Sequence, residues 1–185
     1  MRIATIGDPV LRERAPEVSL DELRSLDVQE LIDSLIETRR SAGGAGLAAP
    51  QVGVSKRIAV VAVDEATRYA YKPLVPLTVL VNPVVEPLSD ETLLINEGCL
   101  SVPDLRGDVP RYLRVRVQYF DRNGEQRSEE VEGLTAGTFQ HEVDHLDGVL
   151  FLDRVTDTRT LSTWEEFARH GEPEFLARVA PYTRR

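Results

Sequence analysis

The sequence is poor in several residue types: 185 residues include one cysteine, one tryptophan and three histidines, and lysine plus arginine (22) are outnumbered by aspartate plus glutamate (31). A single cysteine, Cys99, excludes an intrachain disulfide framework. The net charge of −9, with the acids spread along the chain, argues against a broad nucleic-acid-binding surface. A small local basic patch, such as Arg39 and Arg40, is compatible with that charge. No stretch approaches the ~18 consecutive apolar residues of a membrane span. The longest apolar run is Ile58 to Val63. The opening MRIATIGDPVLRERAPEV meets charge and proline before a secretory apolar core can form. The expectation is a chain without membrane contact or direct nucleic-acid binding, located in the cytoplasm.

What remains is ordinary for a globular protein, 42% hydrophobic and 29% charged residues, which is enough for one domain with its own core. No repeat or linker divides it, so residues 1–185 are read as a single catalytic domain. Residues from about 154 to 185 form a C-terminal tail with two weak helical segments, near Trp164 to Ala168 and Glu174 to Val179. Residues 1–18 read as an extended, turn-rich arm. Ser19 to Glu22 and Asp27 to Glu30 are two helix-start signals. Leu31, Ile32, Leu35 and Ile36 follow helical spacing to about Arg40, and Gly43-Gly44 ends that helix. Strands are expected at Arg57 to Val63, Leu77 to Val81 and Leu113 to Tyr119, with the last joined through Asp121 to Gly124 to a partner at Glu125 to Glu132. A helix from about Leu134 to Leu146, closed by Gly148, completes an α+β pattern.

That last helix carries His141-Glu142-Val143-Asp144-His145. Positions i and i+4 share a helix face, roughly 5–6 Å apart at Cβ, so two imidazoles can reach one metal. Glu142, one residue along, can face a water and act as general base of a metallohydrolase. His170 reads as a surface residue. Two histidines leave a catalytic metal short of its usual third protein ligand. Candidates are a distal glutamate, Glu165 or Glu166, and, more economically, Cys99 in Glu97-Gly98-Cys99-Leu100-Ser101; on its own segment Cys99 reads rather as a buried core thiol. A third segment, Gly44 to Gln51, is rich in small residues and allows close approach to the backbone, though a plain turn also explains it.

Together GAGLAAPQ at 44–51, EGCLS at 97–101 and QHEVDHLDG at 140–148, in that order, resemble the peptide deformylase family. The resemblance spans at least residues 7 to 152. It implies mainly antiparallel β-sheets packed around a central helix that carries the HExxH motif. It implies removal of the N-formyl group from the formyl-methionine of nascent polypeptides, and allows transient ribosome association. It makes Cys99, His141 and His145 the metal ligands, Glu142 the proton shuttle, and Gln51 with the Leu100 backbone N–H the oxyanion donors. Gly44 and Gly46 become substrate-contacting positions, and Arg106 lies near the peptide cleft. Glu97 with Arg111 looks like a supporting ion pair, and Asp144 like a residue that orients a neighbour. Ligand type alone favours zinc, whereas the resemblance implies Fe(II), with Zn, Ni or Co as substitutes. A zinc endopeptidase and a metal-binding paralogue without catalysis are the competing readings. Gly137, an unusual helix-interior residue, is left between making room for the methionine side chain and making room for a packed strand.

Overall fold

A computed structural model describes residues 1–65 and 67–183. In chain order its helices and strands are α1 (Leu20–Leu23), α2 (Leu26–Ser41), β1 (Gly46–Ala48), β2 (Ile58–Val63), β3 (Val75–Pro87), β4 (Thr92–Cys99), β5 (Val102–Tyr112), β6 (Arg114–Phe120), β7 (Gln126–Glu132), α3 (Gly133–Leu146), α4 (Phe151–Arg154), α5 (Trp164–Glu166) and α6 (Glu172–Val179). A π-helical turn at Phe167–Gly171 links the last two. Ser19 caps α1 through the Glu22 N–H, as its spacing predicts. The cap of α2 is Ser25, two residues before the expected Asp27; its hydroxyl accepts from the Val28 N–H, and Asp27 instead supplies first-turn negative charge.

Five strands form one antiparallel sheet in the order β1-β2-β3-β6-β7. All six residues of β2 are buried, although a strand shows alternate side chains to opposite faces. The reason is a helix on each side. Ile58 and Val60 pack with Val28, Ile32 and Leu35 of α2, whereas Ala59, Val61 and Val63 pack with Ala136, Phe139 and Leu146 of α3. A continuous apolar run is what two covered faces require.

The second sheet is the hairpin β4-β5, which the sequence reading did not foresee. Pro103, Gly107 and Pro110 interrupt its pattern, and a two-stranded ribbon tolerates proline because its edges need no further partner. The hairpin lies over the other side of α3, where Ile95 packs with Leu134. A Cβ at Gly137 would stand 2.4 Å from Ile95 Cδ1, so the missing side chain leaves room for the end of Ile95 against the helix. Gly137 thus faces the packed strand and also borders a cavity, so both roles expected of it are compatible with the fold. The catalytic-motif helix is therefore enclosed by antiparallel sheet, as the fold expectation requires. The tail also packs inward: Phe175 and Val179 join Ile95 and Leu134, and Arg178 pairs with Asp108 at 2.8 Å.

Candidate metal centre and cavity

Each of the three sequence segments reaches the same point by a different structural device. Helix α3 presents His141 and His145 one turn apart, with ring centroids 4.9 Å from each other. The end of β4 delivers Cys99, whose Sγ lies 3.3 Å from His145 Nε2 and accepts the Ser101 N–H at 3.3 Å. Ligand atoms of Cys99, His141 and His145 all fall within 4.8 Å of one another. Tetrahedral coordination at thiolate and imidazole bond lengths separates ligand atoms by roughly 3.5 Å, so this donor set fits one metal ion. Glu165 and Glu166 are exposed and pair with Arg169, which removes them as third ligands. His170 is exposed, as expected.

Behind the histidines lies a buried ion network. Arg111 of β5 grips Glu97 with two hydrogen bonds, 2.7 and 2.9 Å, and Glu97 in turn accepts from His141 Nδ1 at 2.9 Å. Burial alone would raise the Glu97 carboxyl, but Arg111 and His141 overcome it and hold the group well below the usual range. A carboxylate on Nδ1 fixes the His141 tautomer and leaves its other nitrogen free for a metal. Arg111 also donates to Asp144 at 2.5 Å, and Asp144 receives a two-point contact from Arg154. Asp144 thus joins the tail side of the chain to the site through arginines.

Glu142 is buried, and its Oε2 has no hydrogen-bond partner among the described residues. Burial raises its pKa to about 7, with His141 and Lys72 pulling the other way. Its neighbour is Gly46 of β1, where a Cβ would stand 2.3 Å from Glu142 Oε1. The small-residue segment therefore exists to admit this carboxylate. Gly46→Ala should push Glu142 out of place and lower kcat/KM by about 10²-fold while leaving the metal content intact; an unchanged rate, or metal lost in step with activity, would contradict that reading.

Gln51 is held in one orientation. Its Oε1 accepts the Ala48 N–H at 2.8 Å, so its Nε2 must face Ser101 Oγ (3.1 Å) and Cys99 Sγ (3.6 Å). Gly44, Gly46, Gln51, Leu100, Cys99, His141 and Glu142 all line one cavity. Arg39 is not a surface basic patch: it is buried and donates to the carbonyls of Gly44 and Ala62, which fixes the glycine segment against β2.

Arg106 is the exception, and its expected place in the cleft is corrected. It is 1% exposed and is not on the cavity wall. Its guanidinium donates to Asn96 Oδ1 and to the Asn96 carbonyl and lies 4.0 Å from the Trp164 ring centroid and 4.3 Å from that of Phe167. The tail covers it, and a buried guanidinium is stabilised by such ring faces. Tyr69, Tyr71, Lys72 and Thr138 line the cavity without having been anticipated. The first three come from an irregular segment with no periodicity to read.

The family profile described as polypeptide deformylase matches residues 1–160. A peptide deformylase of Leptospira biflexa is 41% identical over 172 residues, covering 92% of this chain and 96% of that protein. Among solved structures, a class I type b peptide deformylase from Acinetobacter baumannii with Met-Ala-Ser bound is 42% identical, with a TM-score of 0.79 over 83% of this chain and 96% of that one. The peptide deformylase of Thermotoga maritima is 40% identical, with a TM-score of 0.73 over 84% of this chain and 97% of its own.

Proposed function

Because the chain belongs to the polypeptide deformylase family, we propose specific roles for the residues that line its cavity. The reaction is the family's, metal-dependent hydrolysis of the N-formyl group from N-terminal formyl-methionine of polypeptides, with release of formate. Cys99, His141 and His145 are the metal ligands in our reading. The observation that carries it is the convergence of these three donor groups beside Glu142 and Gln51 on one cavity. A bound ion supplies Lewis acidity there, activating water and polarising a carbonyl.

The chain's own groups account for the rest. Glu142 accepts a proton from the attacking water as the formyl carbon becomes tetrahedral. Gln51 Nε2 and the Leu100 N–H donate to the formyl oxygen as negative charge builds on it. Glu142 then passes its proton to the departing amine nitrogen, so formate and a free N-terminus leave. The backbone at Gly44 and Gly46 borders the substrate's path, and Glu97 with Arg111 keeps His141 in the binding tautomer.

Fe(II) is our choice of native ion, with Zn, Ni or Co as substitutes; a thiolate with two imidazoles is a strongly donating set that accepts each of them. The natural substrates in this reading are nascent chains, met in the cytoplasm during transient association with the ribosome, since formyl-methionine occurs at the start of newly made chains. Residues 1–185 work as a single catalytic domain, supported by the packing of Phe175 and Val179 against Ile95 and Leu134. Metal analysis of anaerobically purified protein, paired with formate release from formyl-Met-Ala-Ser, tests the assignment. Wild type should retain iron and release formate, and Cys99→Ala should lose both. Full metal content in Cys99→Ala would remove the thiolate from the ligand set.

A further inference from the structure

Helix α3 lines the cavity with Leu134, Gly137, Thr138, His141 and Glu142, one face at i, i+3, i+4, i+7 and i+8 spacing. Across from the middle of this face stands Lys72, whose Nζ donates to Thr138 Oγ1 at 2.8 Å. The Thr138 hydroxyl spends its own proton on the Leu134 carbonyl, 3.0 Å away, so it can only accept from the lysine. That is the single hydrogen bond of the Lys72 ammonium among the described residues, and no described carboxylate lies within ion-pairing distance of it. An ammonium has three donors. Two are therefore left beside the cavity, next to the face of the Tyr69 ring, 5.0 Å from its centroid. The segment is held in place: the Lys72 N–H bonds to the Tyr69 carbonyl, the Arg68 N–H to the Gly43 carbonyl, and the Tyr71 ring meets Phe175 edge-on. Burial pulls Lys72 down to about 8, against the attraction of Glu97 and Glu142.

We propose that Lys72 is a specificity-determining residue of the deformylation reaction, donating a hydrogen bond to an acceptor on the side chain of the formylated residue. The proposal rests on the formyl group being processed beside Glu142. Thr138 is one helical turn from Glu142, about 5–6 Å between Cβ positions. The side chain of the formylated residue starts three bonds from the formyl carbon, and its third heavy atom spans that distance. Methionine places there a thioether, a weak acceptor; methionine sulfoxide places there an S=O oxygen, a strong one.

The test compares formyl-Met-Ala-Ser with its norleucine and methionine-sulfoxide analogues, in wild type, Lys72→Met and Lys72→Gln. Wild type should take the sulfoxide substrate at least as well as the norleucine one. The sulfoxide-to-norleucine ratio of kcat/KM should fall about tenfold in Lys72→Met, as for loss of a hydrogen bond to a charged donor, and less in Lys72→Gln, which keeps a neutral donor. A folding or metal defect scales all three substrates equally and leaves the ratio alone, so a ratio unchanged in both variants overturns the proposal. So does a wild-type enzyme that prefers norleucine over the sulfoxide tenfold or more, whatever the variants do. Failure of wild type on formyl-Met-Ala-Ser would instead count against the deformylase reading itself.

Discussion

Glu142→Ala should abolish most formate release, lowering kcat by about 10²–10⁴-fold, the usual worth of a positioned general acid–base. Its metal content should stay at the wild-type level, because Glu142 is not among the three donor groups that converge closely enough to hold an ion. The carboxylate occupies space that Gly46 leaves open, so truncation creates room and introduces no clash. Glu142→Gln separates filling from chemistry. It keeps the shape but cannot accept a proton, so it should be nearly as inactive as the alanine variant. Formate assays on both, with metal measured on the same samples, check this. Wild-type turnover in the glutamine variant would take the proton-transfer role away from Glu142.

The largest stability effect is expected at Arg111. The guanidinium is buried between Glu97 and Asp144. Arg111→Met leaves Glu97 charged, enclosed and supported only by His141, whereas Asp144 keeps Arg154. Breaking a buried pair by removing one partner typically costs about 3–5 kcal/mol. For a chain of this size that corresponds to roughly 6–20 °C in Tm. The sign follows from the charge that remains, not from the lost contact. Arg111→Met combined with Glu97→Gln should therefore recover much of the loss in urea or thermal unfolding, while His141 loses its carboxylate and metal affinity falls. A single variant as stable as wild type would show that water reaches Glu97.

The legible parts of this protein were those with a local physical signature. The histidine pair is an i, i+4 statement about one helix, and α3 carries it where the spacing places it. The burial of β2 on both sides could be suspected from its unbroken apolar run. The hairpin β4-β5 could not, because prolines and glycines broke its pattern and its partner strand is only itself. Cys99 shows the limit most clearly. Read alone it is a core thiol before it is a ligand, and only the ordered trio of motifs reverses that choice. Arg106 was misplaced because nothing in its own segment records that a tryptophan nearly sixty residues later will lie on it. Lys72 left no trace, since its importance comes from what faces it across a cavity.

By itself the sequence determined the chemical repertoire: one thiol, a histidine pair with its glutamate, a glutamine behind small residues, and an acidic chain without a long apolar run. Those are properties of residue type and short-range spacing. The tertiary structure alone decided which groups meet. It brought Cys99 within 3.3 Å of His145 across 46 residues, tied His141 to Glu97 across 44, and set Glu142 in the space left by Gly46. It also withdrew Arg106 from the cavity and put Lys72 there. The physical reason is that such contacts come from packing the hairpin and the five-stranded sheet onto opposite sides of one helix, and that packing depends on complementary shapes, such as Glu142 against Gly46, that no local pattern encodes.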